Sequence, residues 1–111
     1  MNYEIIFTDT AESDLSDIAL FIAEESKDKE VAKKFLGELL SHCKEQLGAY
    51  PLSGFLLSDV ALRNTGYRFF VHREYIALYT VHEEQKTVYI HSVFNAKKDY
   101  TRIVKKLIRN Q

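Results

Sequence analysis

The sequence predicts an α+β fold: an N-terminal strand, an antiparallel helical hairpin, a three-stranded antiparallel meander and a C-terminal helix, in the order β-α-α-β-β-β-α. Three observations carry this. Apolar residues recur at helical spacing from Ala11 to Leu47, the period switches toward 2 at Tyr67, and helical spacing returns after Asp99. At 111 residues, with 46% hydrophobic and 28% charged side chains, 4 Gly and 1 Pro, residues 1–111 have the composition of a single globular domain.

Each element has its own signal. Tyr3 to Thr8 is rich in aromatic and β-branched residues, which predicts a short strand. Asp9 stands three residues before Glu12, as in a capping box, and Ala11, Leu15, Ile18 and Ile22 follow on one face of a helix over about 10–25. Ser26 to Asp28 is a polar break, with Asp28 as the next N-cap. Ala32, Phe35, Leu36, Leu39, Leu40, Cys43 and Leu47 then form a stripe that ends at Gly48. So short a connection makes the two helices antiparallel. Tyr50, Pro51 and Gly54 mark an irregular segment. Strand-like runs at about 67–71, 75–81 and 87–94 are separated by His72-Arg73-Glu74 and by His82 to Lys86, lengths that fit β-hairpins. In the tail, Asp99 is a candidate cap for a helix whose stripe is Tyr100, Ile103, Val104, Leu107 and Ile108.

The simplest register of the meander sets Tyr67, Phe69 and Val71 beside Tyr75, Ala77 and Tyr79, and those beside Tyr89, His91 and Val93. Arg68, Phe70, Ile76, Leu78, Val88, Ile90 and Ser92 then share the opposite face, and a pairing of Phe69 with Leu78 would refute the register. Both faces are largely apolar. Each needs cover: the helical hairpin on one side, and the C-terminal helix or another polypeptide on the other.

Charge is segregated along the chain, although the net value is only -1. Residues 1–62 carry 5 Lys/Arg against 12 Asp/Glu, whereas residues 63–111 carry 10 against 4. The C-terminal half can thus present a positive surface to a partner, or the two halves can simply attract each other. Cys43 is the lone cysteine and forms no internal bridge, which points to a reducing compartment. The N-terminus lacks a basic region followed by an apolar stretch, and no apolar run approaches about 18 residues. The expectation is a soluble, cytoplasmic protein with no membrane partner.

Most catalytic classes lack their residues. His42 and Cys43 are helix neighbours pointing roughly 100° apart, and His72 and His82 fall in turns at opposite ends of one strand, so neither a metal site nor a cofactor is expected. There is no Gly-x-Ser-x-Gly and no phosphate-cradling loop, and the stripe puts Cys43 in the core. Asp14, Asp17, Glu24 and Glu25 read as a solvated helix face. More informative is the basic group Arg63, Arg68, His72, Arg73, Lys97 and Lys98, interleaved with Tyr67, Phe70, Tyr75 and Tyr100. Such a mixture suits phosphates and stacked rings, and equally suits a solvated sheet edge.

Three segments together resemble the RelE/ParE superfamily of bacterial toxins from type II toxin-antitoxin modules, on its ParE-like, plasmid-stabilisation side. The run Tyr3-Glu4-Ile5-Ile6-Phe7-Thr8-Asp9-Thr10-Ala11-Glu12-Ser13-Asp14-Leu15 is similar to the family's strand entering an Ala-x-x-Asp-Leu helix. Tyr67 to Val81 resembles its central hairpin. Thr87 to Phe94, followed by Ala96-Lys97-Lys98-Asp99-Tyr100, resembles its last strand and the basic-Asp-Tyr segment after it. The resemblance implies a toxin held inactive by a cognate antitoxin, with operator DNA reached only through that antitoxin.

It also implies two activities. Ribonuclease members act with the ribosome on mRNA, where cations on the open sheet face stabilise a phosphate as a 2'-hydroxyl attacks it. By that resemblance Arg68 keeps one basic position and Lys98 roughly another, but Phe70 and Ile76 replace two more, so RNA cleavage is disfavoured and the catalytic residues are unknown. ParE-like members poison DNA gyrase, the expected target here. Arg63, Arg68, Arg73, Lys97 and Lys98 are the expected target-binding charges, with Tyr75 and Tyr100 as aromatic contacts. Phe70, Ile76, Leu78, Val88 and Ile90 are the expected antitoxin-binding residues on the open face. The alternatives are a ribosome-dependent mRNA endoribonuclease and a non-toxic interaction module.

Overall fold

The computed structural model describes residues 2–109. Strand β1 (Glu4–Phe7) leads directly into α1 (Asp9–Ser26). The cap falls one residue earlier than the capping box predicts: the Thr8 hydroxyl accepts the Ala11 N–H at 3.2 Å, and Asp9 takes a first-turn position where its charge suits the helix dipole. Lys27, at φ 58°, ends α1 in the left-handed region, and the Asp28 carboxylate caps α2 (Lys29–Ala49) by accepting the Glu30 N–H at 2.9 Å. Gly48 does not stop α2. It is buried inside the last turn, where its carbonyl accepts the Tyr3 N–H at 2.8 Å and ties the helix to β1.

The segment that reads as irregular holds a 3-10 turn (Pro51–Ser53), the two-residue strand β2 (Phe55–Leu56) and the short helix α3 (Val60–Arg63). Strands β3 (Arg68–His72), β4 (Tyr75–His82) and β5 (Thr87–Asn95) form the meander, and α4 (Tyr100–Arg109) follows. The sheet has five strands in the order β1-β5-β4-β3-β2. Strand β1 is parallel to β5 and the other pairs are antiparallel.

The register differs from the sequence expectation by one residue. His72 pairs with Tyr75, so the β3–β4 turn is Arg73-Glu74 alone, and Phe69 pairs with Leu78. Arg73 takes φ 55°, the left-handed conformation that a two-residue hairpin needs. A bulge between Leu78 and Tyr79 then pairs Leu78 with Ser92 but Tyr79 with Ile90. The shift and the bulge redistribute the faces.

Two apolar cores result, one on each side of the sheet. Under the α1–α2 hairpin lie Phe70, Tyr75, Ala77, Tyr79, Val88, Ile90 and Val93, against Ala11, Ile18, Leu39, Cys43 and Leu47. On the other side α4 presses Val104, with Ile103, Leu107 and Ile108, onto Leu78, Phe94, Tyr67, Phe69 and Ile76. Both faces are therefore covered by the chain's own helices. The five residues grouped as an open face are divided: Phe70, Val88 and Ile90 lie under the hairpin, and Ile76 and Leu78 under α4. Leu78 is 0% exposed, and only Ile76 among the five stays half-buried.

Candidate functional site

The segment 50–56 wraps the end of the sheet where β3 begins, and two side chains hold it there. Tyr79 Oη donates to the Pro51 carbonyl at 2.8 Å and accepts the Gly54 N–H at 2.8 Å. Burial raises the Tyr79 pKa, which keeps the donated proton in place, against smaller lowering by the Gly54 hydrogen bond and Arg68. Arg68 Nη1 donates to the carbonyls of Leu52 and Gly54 at 3.2 and 3.1 Å. Its guanidinium thus braces a turn. Beside this clamp the exposed edge of the sheet is apolar, with Phe55 62% and Leu56 48% exposed and the Phe55 ring stacked on Phe69 at 5.4 Å.

The other residues expected to contact a target fall into two groups. Arg63 ends α3 and donates through Nε to the Leu57 carbonyl at 3.4 Å. Tyr100 Oη shares a 2.6 Å hydrogen bond with Ser58 Oγ, and its half-buried ring lies 5.9 Å from that of Phe69. At the opposite end of the sheet, the Ala96 N–H donates to the Glu74 carbonyl at 2.7 Å, which brings the Arg73 turn next to Lys97 and Lys98. Arg73 there pairs with Glu38 at 3.1 Å. Tyr75 is the correction among them: it is 5% exposed, edge-on to Phe35 at 5.4 Å, and belongs to the core rather than to a stacking surface.

Several groups carry a role that sequence patterns missed. Asp14 does not sit on a solvated face: its Oδ2 accepts from Ser92 Oγ at 2.7 Å and from the Val93 N–H at 2.9 Å, which fastens α1 to β5. Beside it a cleft of about 300 Å³ is lined by Asp17, Phe21, Tyr75, Asn95 and Lys98. Between α2 and β3 the Nδ1 atoms of His42 and His72 are 2.9 Å apart, so one ring donates and the other accepts. Desolvation, then His42, lowers the His72 pKa. Thr80 Oγ1 bridges His91 Nε2 at 2.7 Å and His82 Nε2 at 3.1 Å, and burial followed by His82 lowers the His91 pKa. The sequence signal was only four scattered histidines.

Burial also pushes the Cys43 thiol up to about 12, which removes it as a nucleophile at neutral pH. Among the described residues no cluster of three or more His, Cys, Asp or Glu could hold a metal ion, and no helix is long and apolar enough to cross a membrane.

A helical hairpin and a C-terminal helix packed on opposite faces of one small mixed sheet define a RelE/ParE-like toxin fold. The chain is similar to one in the toxin-antitoxin complex RelBE2 of Mycobacterium tuberculosis, with a TM-score of 0.65, 23% identity, and 86% of this chain and 92% of that one covered. It is similar also to a chain of the chromosomal ParDE system of P. aeruginosa, with a TM-score of 0.66, 18% identity and coverage of 84% and 95%. For the isolated E. coli RelE toxin the TM-score is 0.53, the identity 18% and the coverage 95% and 98%. The chain belongs to the ParE toxin family of type II toxin-antitoxin systems, parDE, whose model matches residues 5–107. Among curated proteins none matches the sequence significantly.

Proposed function

We propose that this chain is a cytoplasmic toxin that acts by contact on DNA gyrase and is neutralised by a cognate antitoxin docked on the β2–β3 edge. The observation that supports contact over RNA cleavage is the state of the sheet-face positions. Arg68 is bound to the Leu52 and Gly54 carbonyls, Phe70 is in the hairpin core, and Ile76 is under α4. Cleavage of a phosphodiester needs cations and a proton-transfer group converging on one phosphate. Arg63 and Arg68 instead lie at one end of the sheet, with Arg73, Lys97 and Lys98 at the other.

For the antitoxin, the edge offers exposed apolar side chains beside a strand backbone whose outer side no strand among the described residues pairs. Phe55 and Leu56 lie on the outermost strand, and Val71 is 40% exposed on the neighbouring one. An extended segment that orders on binding can pair with the free backbone of β2 and bury these side chains. This edge replaces the buried Phe70, Leu78, Val88 and Ile90 as the docking surface.

The test is a supercoiling assay with purified gyrase, run beside 5'-end mapping of cellular messages during induction. Loss of supercoiling with intact messages is the expected result. Messages cut between codons, with gyrase unaffected, would overturn the gyrase reading in favour of a ribosome-dependent ribonuclease.

A further inference from the structure

All the exposed positions of α4 are cationic. Arg102, Lys105, Lys106 and Arg109 are the exposed residues of this helix, while Ile103, Val104, Leu107 and Ile108 face the core. The four cations line one groove of about 680 Å³, with Thr101 and Asp99 at its end. Asp99 is its one acid, and Asp99 Oδ1 accepts the Thr101 N–H at 3.0 Å at the start of the helix. Spacings of three and four residues place the cations side by side, where like charges repel. Among the described residues none of the four forms an ion pair, and the acids of residues 1–62 lie mainly on the hairpin across the sheet. Nothing within the described chain neutralises the stripe.

We propose that the outer face of α4 binds the phosphate backbone of a nucleic-acid duplex. The stripe exposes cations with no aromatic or aliphatic residue among them. Protein interfaces rest on buried aromatic and apolar anchors and are depleted in Lys, whereas Lys and Arg without apolar anchors suffice to neutralise a phosphate backbone. Length agrees as well. Arg102 to Arg109 spans about 10 Å of helix axis, and that length of duplex presents about six phosphates, enough for four cations. Such contact is independent of sequence, and is therefore separate from operator recognition. It does not depend on gyrase being the target.

The test is fluorescence anisotropy of the full chain with mixed-sequence duplex DNA, the matching duplex RNA and a polyglutamate peptide, between about 50 and 200 mM salt. Four neutralised phosphates give a slope of about -3.6 in log K against log salt, a loss of about 150-fold across that range. The double variant Lys105→Gln/Lys106→Gln, on the face away from the core, should halve the slope while keeping its circular dichroism. Binding of either duplex with this behaviour supports the proposal, and the tighter of the two names the source of the phosphates. Equal affinity for polyglutamate, or a slope unchanged in the double variant, would overturn it. Gyrase inhibition that survives in a variant no longer binding duplex separates the two proposals.

Discussion

Tyr79 shows how much of this fold hangs on single polar atoms. Its phenol joins the middle of the sheet to the 51–54 turn, and the space for it exists because residue 54 has no side chain. A Cβ at Gly54 would collide with Tyr79 Oη and stand 2.8 Å from the Phe69 carbonyl oxygen. Tyr79→Phe leaves the Gly54 N–H and the Pro51 carbonyl without their partner, a loss of about 1–3 kcal/mol. Urea denaturation should show it as a lower midpoint with an unchanged slope, and an unchanged midpoint would mean that water replaces the phenol. Nothing in the sequence announces this contact, because Tyr79 is one of several apolar alternations in a strand and its partners lie 25 and 28 residues away. The role of Asp14 is hidden from the sequence for a related reason. Helical period gives its direction around α1 but cannot show that β5 passes there with a free N–H and a hydroxyl.

At the scale of elements, the helices and strands were legible because their apolar period is strong, whereas the pairing of the strands was not. A two-residue turn normally advertises itself with Gly or Asn, and here Arg73 adopts the positive φ instead. One residue of error then inverts which side of β3 is buried, and the bulge opposite Tyr79 repeats the effect in β5. The same packing creates a pH response. His72 links β3 to α2 through His42, and His91 sits beside Thr80 and His82. Both pKa values are lowered from 6.5 in the fold, so the unfolded chain binds more protons as pH falls. These histidines contribute stability that is full above about 6.5, falls as pH drops through that value, and levels off below the folded-state pKa values. Melting temperature should drop between about pH 7.5 and 5.5, and His72→Gln, although less stable at neutral pH, should drop less. Parallel curves for the two proteins would assign the acid response to other groups.

For the molecule as a whole, the consequence of two covered faces is that an extended segment can add to the sheet only at an edge. One edge of the sheet is β1, followed at once by α1. The other is β2, only two residues long but carrying Phe55 and Leu56 outward, with Val60 79% exposed just beyond. Long apolar edges invite indiscriminate pairing, and brevity limits this one. An isolated hydrophobic edge of this kind gains most from a specific partner, since its exposed area is already lost to the chain's own stability. Substituting Phe55→Glu with Leu56→Lys should therefore leave the melting temperature within a few degrees of the parent while weakening the purified antitoxin complex by tenfold or more, about 1.4 kcal/mol. Calorimetric titration of the two purified proteins reads the affinity directly. Undiminished affinity would move the antitoxin away from this edge, and a large fall in melting temperature would instead identify Phe55 and Leu56 as cover for Phe69.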